Sequence, residues 1–131
     1  LRLALQPYLQ LVALDFPVDE FILAVKAREA ELLRGDASQA PTGLRRRRER
    51  RTRLPAPART HVAIHRLDGR IYFKRLEPAA FRILQALRAG RTLEEALATG
   101  VPRRQADRAE WAAKVQAWFQ TWMELRWLCR R

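Results

Sequence analysis

Residues 61–97 read HVAIHRLDGRIYFKRLEPAAFRILQALRAGRTLEEAL, and the punctuation of this stretch decides the fold. Two strand-like runs, His61 to His65 and Arg70 to Lys74, flank Leu67-Asp68-Gly69. Asp-Gly tolerates the positive φ angles that a tight hairpin turn demands. Glu77-Pro78 then opens a helix, because proline in a first turn lacks only an N–H that would go unpaired there anyway. Phe81, Ile83, Leu84 and Leu87 supply its buried face, and Gly90 stops it. Thr92 and Glu95 are spaced as a capping box for a short helix with Leu93, Ala96 and Leu97 inward, ending near Gly100.

Beyond this stretch, a longer helix is expected from Arg104 to Leu128, with Trp111, Val115, Trp118, Phe119, Trp122 and Leu125 inward. Upstream, the apolar run from Leu9 to Phe16 lies between Pro7 and Pro17 and reads as one strand. Pro17 begins a helix on which Phe21, Ile22, Val25, Leu32 and Leu33 recur at helical spacing. Asp19 and Glu20 sit in its first turn, where the dipole favours them, and Arg34-Gly35 closes it. The expected fold is α+β and winged-helix-like, a β-hairpin packed on three helices, preceded by a strand and a long helix. It divides into a strand–helix element over 1–35 packing on the core, an arginine-rich flexible loop over 36–58, and a winged-helix domain over 59–131. The loop has too few apolar residues to offset the entropy of ordering.

Composition narrows the function classes. The chain has 131 residues, 48% of them hydrophobic, and a net charge of +12. Residues 45–53 alone hold seven arginines against Glu49, which is half of that excess. The single cysteine, Cys129, rules out an intramolecular disulfide and a cysteine-pair metal site. A reducing, cytoplasmic setting is expected. No apolar run reaches the length of a membrane span, so no membrane partner is expected.

The segment Tyr72 to Leu97 resembles the small chaperone of pyrroloquinoline-quinone biosynthesis and its relatives, the RiPP recognition elements. The likeness rests on Leu76, Pro78, Ile83-Leu84, Gly90, and Thr92 with Glu95. A second likeness spans more of the chain. LALQPYLQLVALDFPVDEFILAVK, THVAIHRLDGRIYFKRLEPAAF and QAWFQTWMELRWLC are together similar to the C-terminal half of HvfC-type partner proteins. Those accompany multinuclear non-heme iron oxidative enzymes that modify cysteines in precursor peptides, as in methanobactin- and 3-thiaglutamate-type pathways. The chain departs from that pattern by its arginine-rich insertion and by lacking the preceding helical domain. The resemblance implies a non-catalytic accessory subunit. It would bind the leader of a ribosomally made precursor peptide and dock on the iron-dependent enzyme in a heteromeric complex. It would thereby present a core cysteine, and the iron would belong to the enzyme rather than to this chain. The alternative is a nucleic-acid-binding winged-helix regulator, in which the arginine run binds phosphates.

The candidate site residues follow from strand chemistry. If Arg70, Ile71, Tyr72, Phe73, Lys74 and Arg75 form a sheet edge, their unpaired backbone groups can template a peptide strand. Either Ile71 and Phe73 or Tyr72 and Lys74 would then face the core. A groove between that strand and the last helix would select side chains, and Arg103, Arg104 and Arg108 would attract an acidic leader. Docking on the enzyme is assigned to Arg45, Arg46, Arg47, Arg48 and an exposed Trp127. His61 and His65 stand some 13 Å apart if the strand is regular, too far for one metal. Cys129 sits among Arg126, Arg130 and Arg131 but without a His or Asp beside it in sequence. No catalytic constellation is expected.

Overall fold

The computed structural model describes residues 2–35, 53–102, 104 and 107–130. The arginines at 45–48, most of the loop expected over 36–58, and Arg103 lie outside the described residues. Among the described residues the chain is α+β, with five strands in two antiparallel sheets and four helices, in a winged-helix-like arrangement. In chain order these are β1 (Leu3–Leu5), β2 (Gln10–Leu14), α1 (Val18–Gly35), β3 (Thr60–Leu67), β4 (Arg70–Leu76), α2 (Pro78–Arg88), α3 (Leu93–Ala98), α4 (Arg108–Glu124) and β5 (Leu128–Arg130). They fall into two compact units, Leu1–Ala13 with His61–Arg131, and Leu14–Thr60.

The larger unit is built on the sheet β2-β3-β4, in which β4 is an edge. Its hairpin closes on the pair Leu67 and Arg70, with Asp68 and Gly69 at φ of 50° and 77°. Two successive positive φ angles make the mirror-image turn whose twist matches the strands. Pro78 occupies the first turn of α2, and Gly90, at φ 81°, ends it. Gly90 donates its N–H to Leu87 and Arg91 donates to Ala86, the two bonds of a left-handed helix cap. Ile83, Leu84 and Leu87 are fully buried in the core with Leu9, Ala63, Ala96, Trp122 and Trp127. The Arg88 guanidinium donates to the Leu9 carbonyl and ties α2 to the segment before β2.

The helix α3 carries both bonds of the capping box: the Glu95 amide donates to Thr92 Oγ1 at 3.2 Å, and the Thr92 amide donates to Glu95 Oε2 at 2.8 Å. Replacing Thr92 with alanine should cost about 1 kcal/mol, read by thermal unfolding, because one first-turn amide loses its acceptor.

The last helix is shorter than its apolar pattern predicts. It stops at Glu124 because Arg126 takes the left-handed conformation at φ 56°. Arg126 donates to Met123 and Trp127 donates to Trp122, repeating the α2 cap without a glycine. A non-glycine residue there is strained by roughly 1–2 kcal/mol. Arg126→Gly should therefore stabilise the fold by up to about 1 kcal/mol after allowing for the looser unfolded chain, visible as a higher denaturation midpoint. The reversal sends β5 back along β1, pairing Leu3 with Arg130 and Leu5 with Leu128.

In the smaller unit, the Ala58 amide donates to the Asp15 carbonyl at 2.8 Å. The Asp15 carboxylate meets Arg59 at 3.4 Å, both well exposed. Phe21, Ile22 and Val25 of α1 are half-buried, whereas Leu32 and Leu33 in its last turns are exposed, so the covered stripe ends before the helix does.

Candidate functional site

Strand β4 presents six consecutive exposed residues, Arg70 to Arg75, before Leu76 turns into the core. The expectation that one alternate pair would be buried is corrected here. Ile71, Tyr72 and Phe73 remain 58%, 42% and 45% exposed. Each lies at the rim, where a neighbour exists on one side only. One sheet face carries Tyr72 and Lys74 opposite His65 and Ala63; the other carries Ile71 and Phe73 opposite Arg66 and Ile64. On the His65 side both Ala63 and His65 are buried, whereas on the other side Val62 is buried, Ile64 is half-buried and Arg66 is exposed.

The backbone of β4 has its own pattern. The pair Leu67–Arg70 closes a two-residue hairpin and is therefore hydrogen-bonded, so alternation makes His65–Tyr72 a bonded pair as well. Ile71 and Phe73 occupy the intervening positions, with N–H and C=O directed away from β3 toward the open edge. An added strand would bond to these groups.

Below Tyr72 lies a buried aromatic cluster. His65 stacks on Tyr72 at 5.6 Å and meets Trp127 edge-on at 5.1 Å. His65 Nδ1 and Trp127 Nε1 are both buried without a hydrogen-bond partner. Burial, and secondarily the Lys74 ammonium, hold the His65 imidazole below its ordinary pKa. The unfolded chain then takes up this proton first as pH falls through about 6.5, so stability should fall on acidification from there toward the folded-state value. Urea titrations on either side of that range should show the decline, and His65→Phe should flatten it.

Trp127 is not an exposed docking anchor: it is 0% exposed. The cap at Arg126 turns the chain so that the indole enters the core against His65, and the Gln6 amide closes on the Trp127 carbonyl at 2.9 Å. Tyr8 donates its hydroxyl to the Arg126 carbonyl at 2.6 Å. Arg108, the first residue of α4, and Arg104, which precedes that helix, are both exposed. An apolar groove of about 390 Å³ lies between α3 and α4, lined by Leu93, Leu97, Trp111, Val115, Gln116 and Phe119 among others.

His61 packs on Phe81 at 4.6 Å while His65 packs on Trp127, so the two imidazoles have separate surroundings. No group of three metal-ligating side chains occurs among the described residues. The half-buried Cys129 thiol donates to the Ala4 carbonyl at 3.5 Å, within the β1–β5 pair. None of the described helices is long and apolar enough to cross a membrane.

No protein-family model, curated protein or solved structure matches this chain. Its described surfaces include an open strand edge with exposed basic and aromatic side chains, and an apolar groove on the helices.

Proposed function

We propose that the chain is a non-catalytic, cytoplasmic accessory subunit that binds an extended peptide along β4. In this reading the peptide is the leader of a ribosomally made precursor, delivered to an iron-dependent oxidative enzyme that modifies a core cysteine. The observation that carries the reading is the β4 edge, with exposed Ile71, Tyr72 and Phe73 beside Arg70 and Lys74. Main-chain bonds at Ile71 and Phe73 supply affinity, alternate side chains supply register, and the basic residues favour an acidic peptide. Holding the leader raises the local concentration of the attached cysteine at the enzyme. The enzyme and the precursor enter through the resemblance of Tyr72 to Leu97 to RiPP recognition elements.

The test is affinity purification of the tagged chain from its native host, with bound iron, peptide and nucleic acid measured in each eluate. Stoichiometric recovery of an iron-containing enzyme together with a short peptide is expected. Phe73→Glu, on an exposed position, should weaken retention of the peptide by about tenfold or more, equivalent to about 1.4 kcal/mol, while the variant stays folded. Recovery of nucleic acid with no protein partner overturns the reading and favours the winged-helix regulator.

A further inference from the structure

The two faces of β4 carry different chemistry. Arg70, Tyr72 and Lys74 share the face on which β3 presents Leu67, His65 and Ala63, while Ile71 and Phe73 share the other, against Arg66 and Ile64. Neither β3 nor β4 contains an acidic residue. Arg70 and Lys74 have no ion-pair partner among the described residues. Of the acids nearest in sequence, Asp68 lies in the hairpin turn, unpaired among the described residues, and Glu77 is held by Lys114 at 3.4 Å. Burial first, and then the Lys74 ammonium, hold the His65 imidazole below its ordinary pKa, so that charge is felt within the sheet. Positive charge on the Arg70–Lys74 face therefore stands unneutralised. The other face differs: Arg75 is already engaged, and the Arg66 backbone stands one strand further in, roughly 10 Å from any strand added to β4.

Resting on β4 as a strand-accepting edge, we infer that it selects a peptide of the pattern carboxylate–apolar–any–apolar–carboxylate, with the carboxylates against Arg70 and Lys74 and the apolar pair against Ile71 and Phe73. The open backbone groups choose the occupant. Ile71 and Phe73 each direct an N–H and a C=O outward, and a peptide strand answers both. A sugar–phosphate backbone has acceptors for the N–H groups but no donor as its counterpart for the carbonyls. A second copy of β4, antiparallel with Ile71 against Phe73, would set Arg70 directly opposite Lys74 twice, and like charges so placed destabilise. Alternation then sets the pattern. In an antiparallel partner, the residues across from Ile71 and Phe73 take the hydrogen bonds. Those across from Tyr72 and Lys74 fall at the intervening positions, where side chains approach more closely. Apolar side chains across from Phe73 extend the row that Ile64 begins. Arg70 and Lys74 lie symmetrically about Tyr72, so the pattern reads the same in either strand direction. The middle residue meets the Tyr72 ring, itself stacked on His65 at 5.6 Å.

The probes are two labelled, capped peptides of one composition, carrying Glu-Leu-Thr-Leu-Glu or Leu-Glu-Thr-Glu-Leu between Gly-Ser flanks, titrated by fluorescence anisotropy. The first should bind about fivefold more tightly, the combined effect of two cross-strand ion pairs. No register shift rescues the second, because its carboxylates are too close together to reach both Arg70 and Lys74. Arg70→Glu with Lys74→Glu, both at exposed positions, should transfer the preference to Lys-Leu-Thr-Leu-Lys. Circular dichroism establishes that the variant is folded. Methylating alternate backbone amides of the first peptide, one set at a time, tests the edge separately, since a strand bonded on one side loses binding for one set only. Equal binding of the two isomers with that alternation intact overturns the carboxylate pattern and leaves the strand edge standing. Binding indifferent to which set is methylated overturns both. Tighter binding of a single-stranded oligonucleotide than of either peptide also overturns the proposal. So does a dimer in sedimentation that the first peptide dissociates, since the edge would then belong to a second copy.

Discussion

Replacing Trp127 with alanine is expected to lower folding stability by about 3–5 kcal/mol, a large part of the roughly 5–15 kcal/mol of a typical domain. Trp127 and Trp122 are the largest side chains that are completely buried. Removing the indole leaves a cavity bordered by His65 that the core cannot close without moving. The measurement is urea unfolding followed by circular dichroism, which does not depend on the deleted fluorophore. Trp127→Phe should lose much less, because it keeps a ring against His65 and discards an N–H that has no acceptor. A loss below about 1 kcal/mol for the alanine variant would show that the indole does not belong to the core.

Gly100→Ala is expected to destabilise by about 1–3 kcal/mol through overpacking. A Cβ at this position would overlap Trp111 Cη2 and stand 2.9 Å from Trp111 Cζ2, with Ile83 Cδ1 behind at 3.5 Å. The added methyl pushes against a ring rather than the far end of a flexible chain. That ring is fixed by the edge-on stack of Trp111 on Trp118 at 5.4 Å. Trp111→Phe should recover part of the loss, a non-additivity that a double-mutant cycle reads directly.

The parts of the fold that were legible in the sequence are those governed by neighbours a few residues away. Asp68-Gly69, Pro78, Gly90 and the Thr92–Glu95 pair each act within one turn, and each forms the predicted turn, start, stop or cap. The strands β1 and β5 escaped because each is three residues long and owes its existence to a partner more than 120 positions away. Neither three-residue run has enough alternation to announce itself. The end of α4 escaped for a related reason. Helical periodicity runs on through Leu125 and Leu128, and an arginine, unlike a glycine, gives no warning that it will take a left-handed conformation.

The candidate site was legible in outline. The hairpin's second strand lies at the sheet edge, but all six of its residues from Arg70 to Arg75 are exposed, where one alternate pair was expected to face the core. Alternation alone suggested one buried face, but burial on an edge strand depends on what covers it, which a period of two does not encode. Trp127 looked like an exposed anchor because it stands close to the last residue of the sequence. Position along a chain says little about depth once the two extremities pair. The α3–α4 groove carried no signal, since Leu93, Leu97, Val115 and Phe119 were already read as ordinary core positions.

That pairing of extremities also shapes how the chain reaches its structure. Registering Leu3 with Arg130 closes a loop of nearly the whole sequence, and such closure is entropically dear and slow. During synthesis, β1 leaves the ribosome first and must wait, unpaired, until β5 follows it out. The hairpin and α2 can assemble meanwhile from contacts close in sequence. The ribbon of β1 and β5 is therefore expected to be a clasp that fastens late. A permuted version of residues 1–131, with 131 linked to 1 and the break placed elsewhere, should fold faster than the same residues in linear order while keeping the same core.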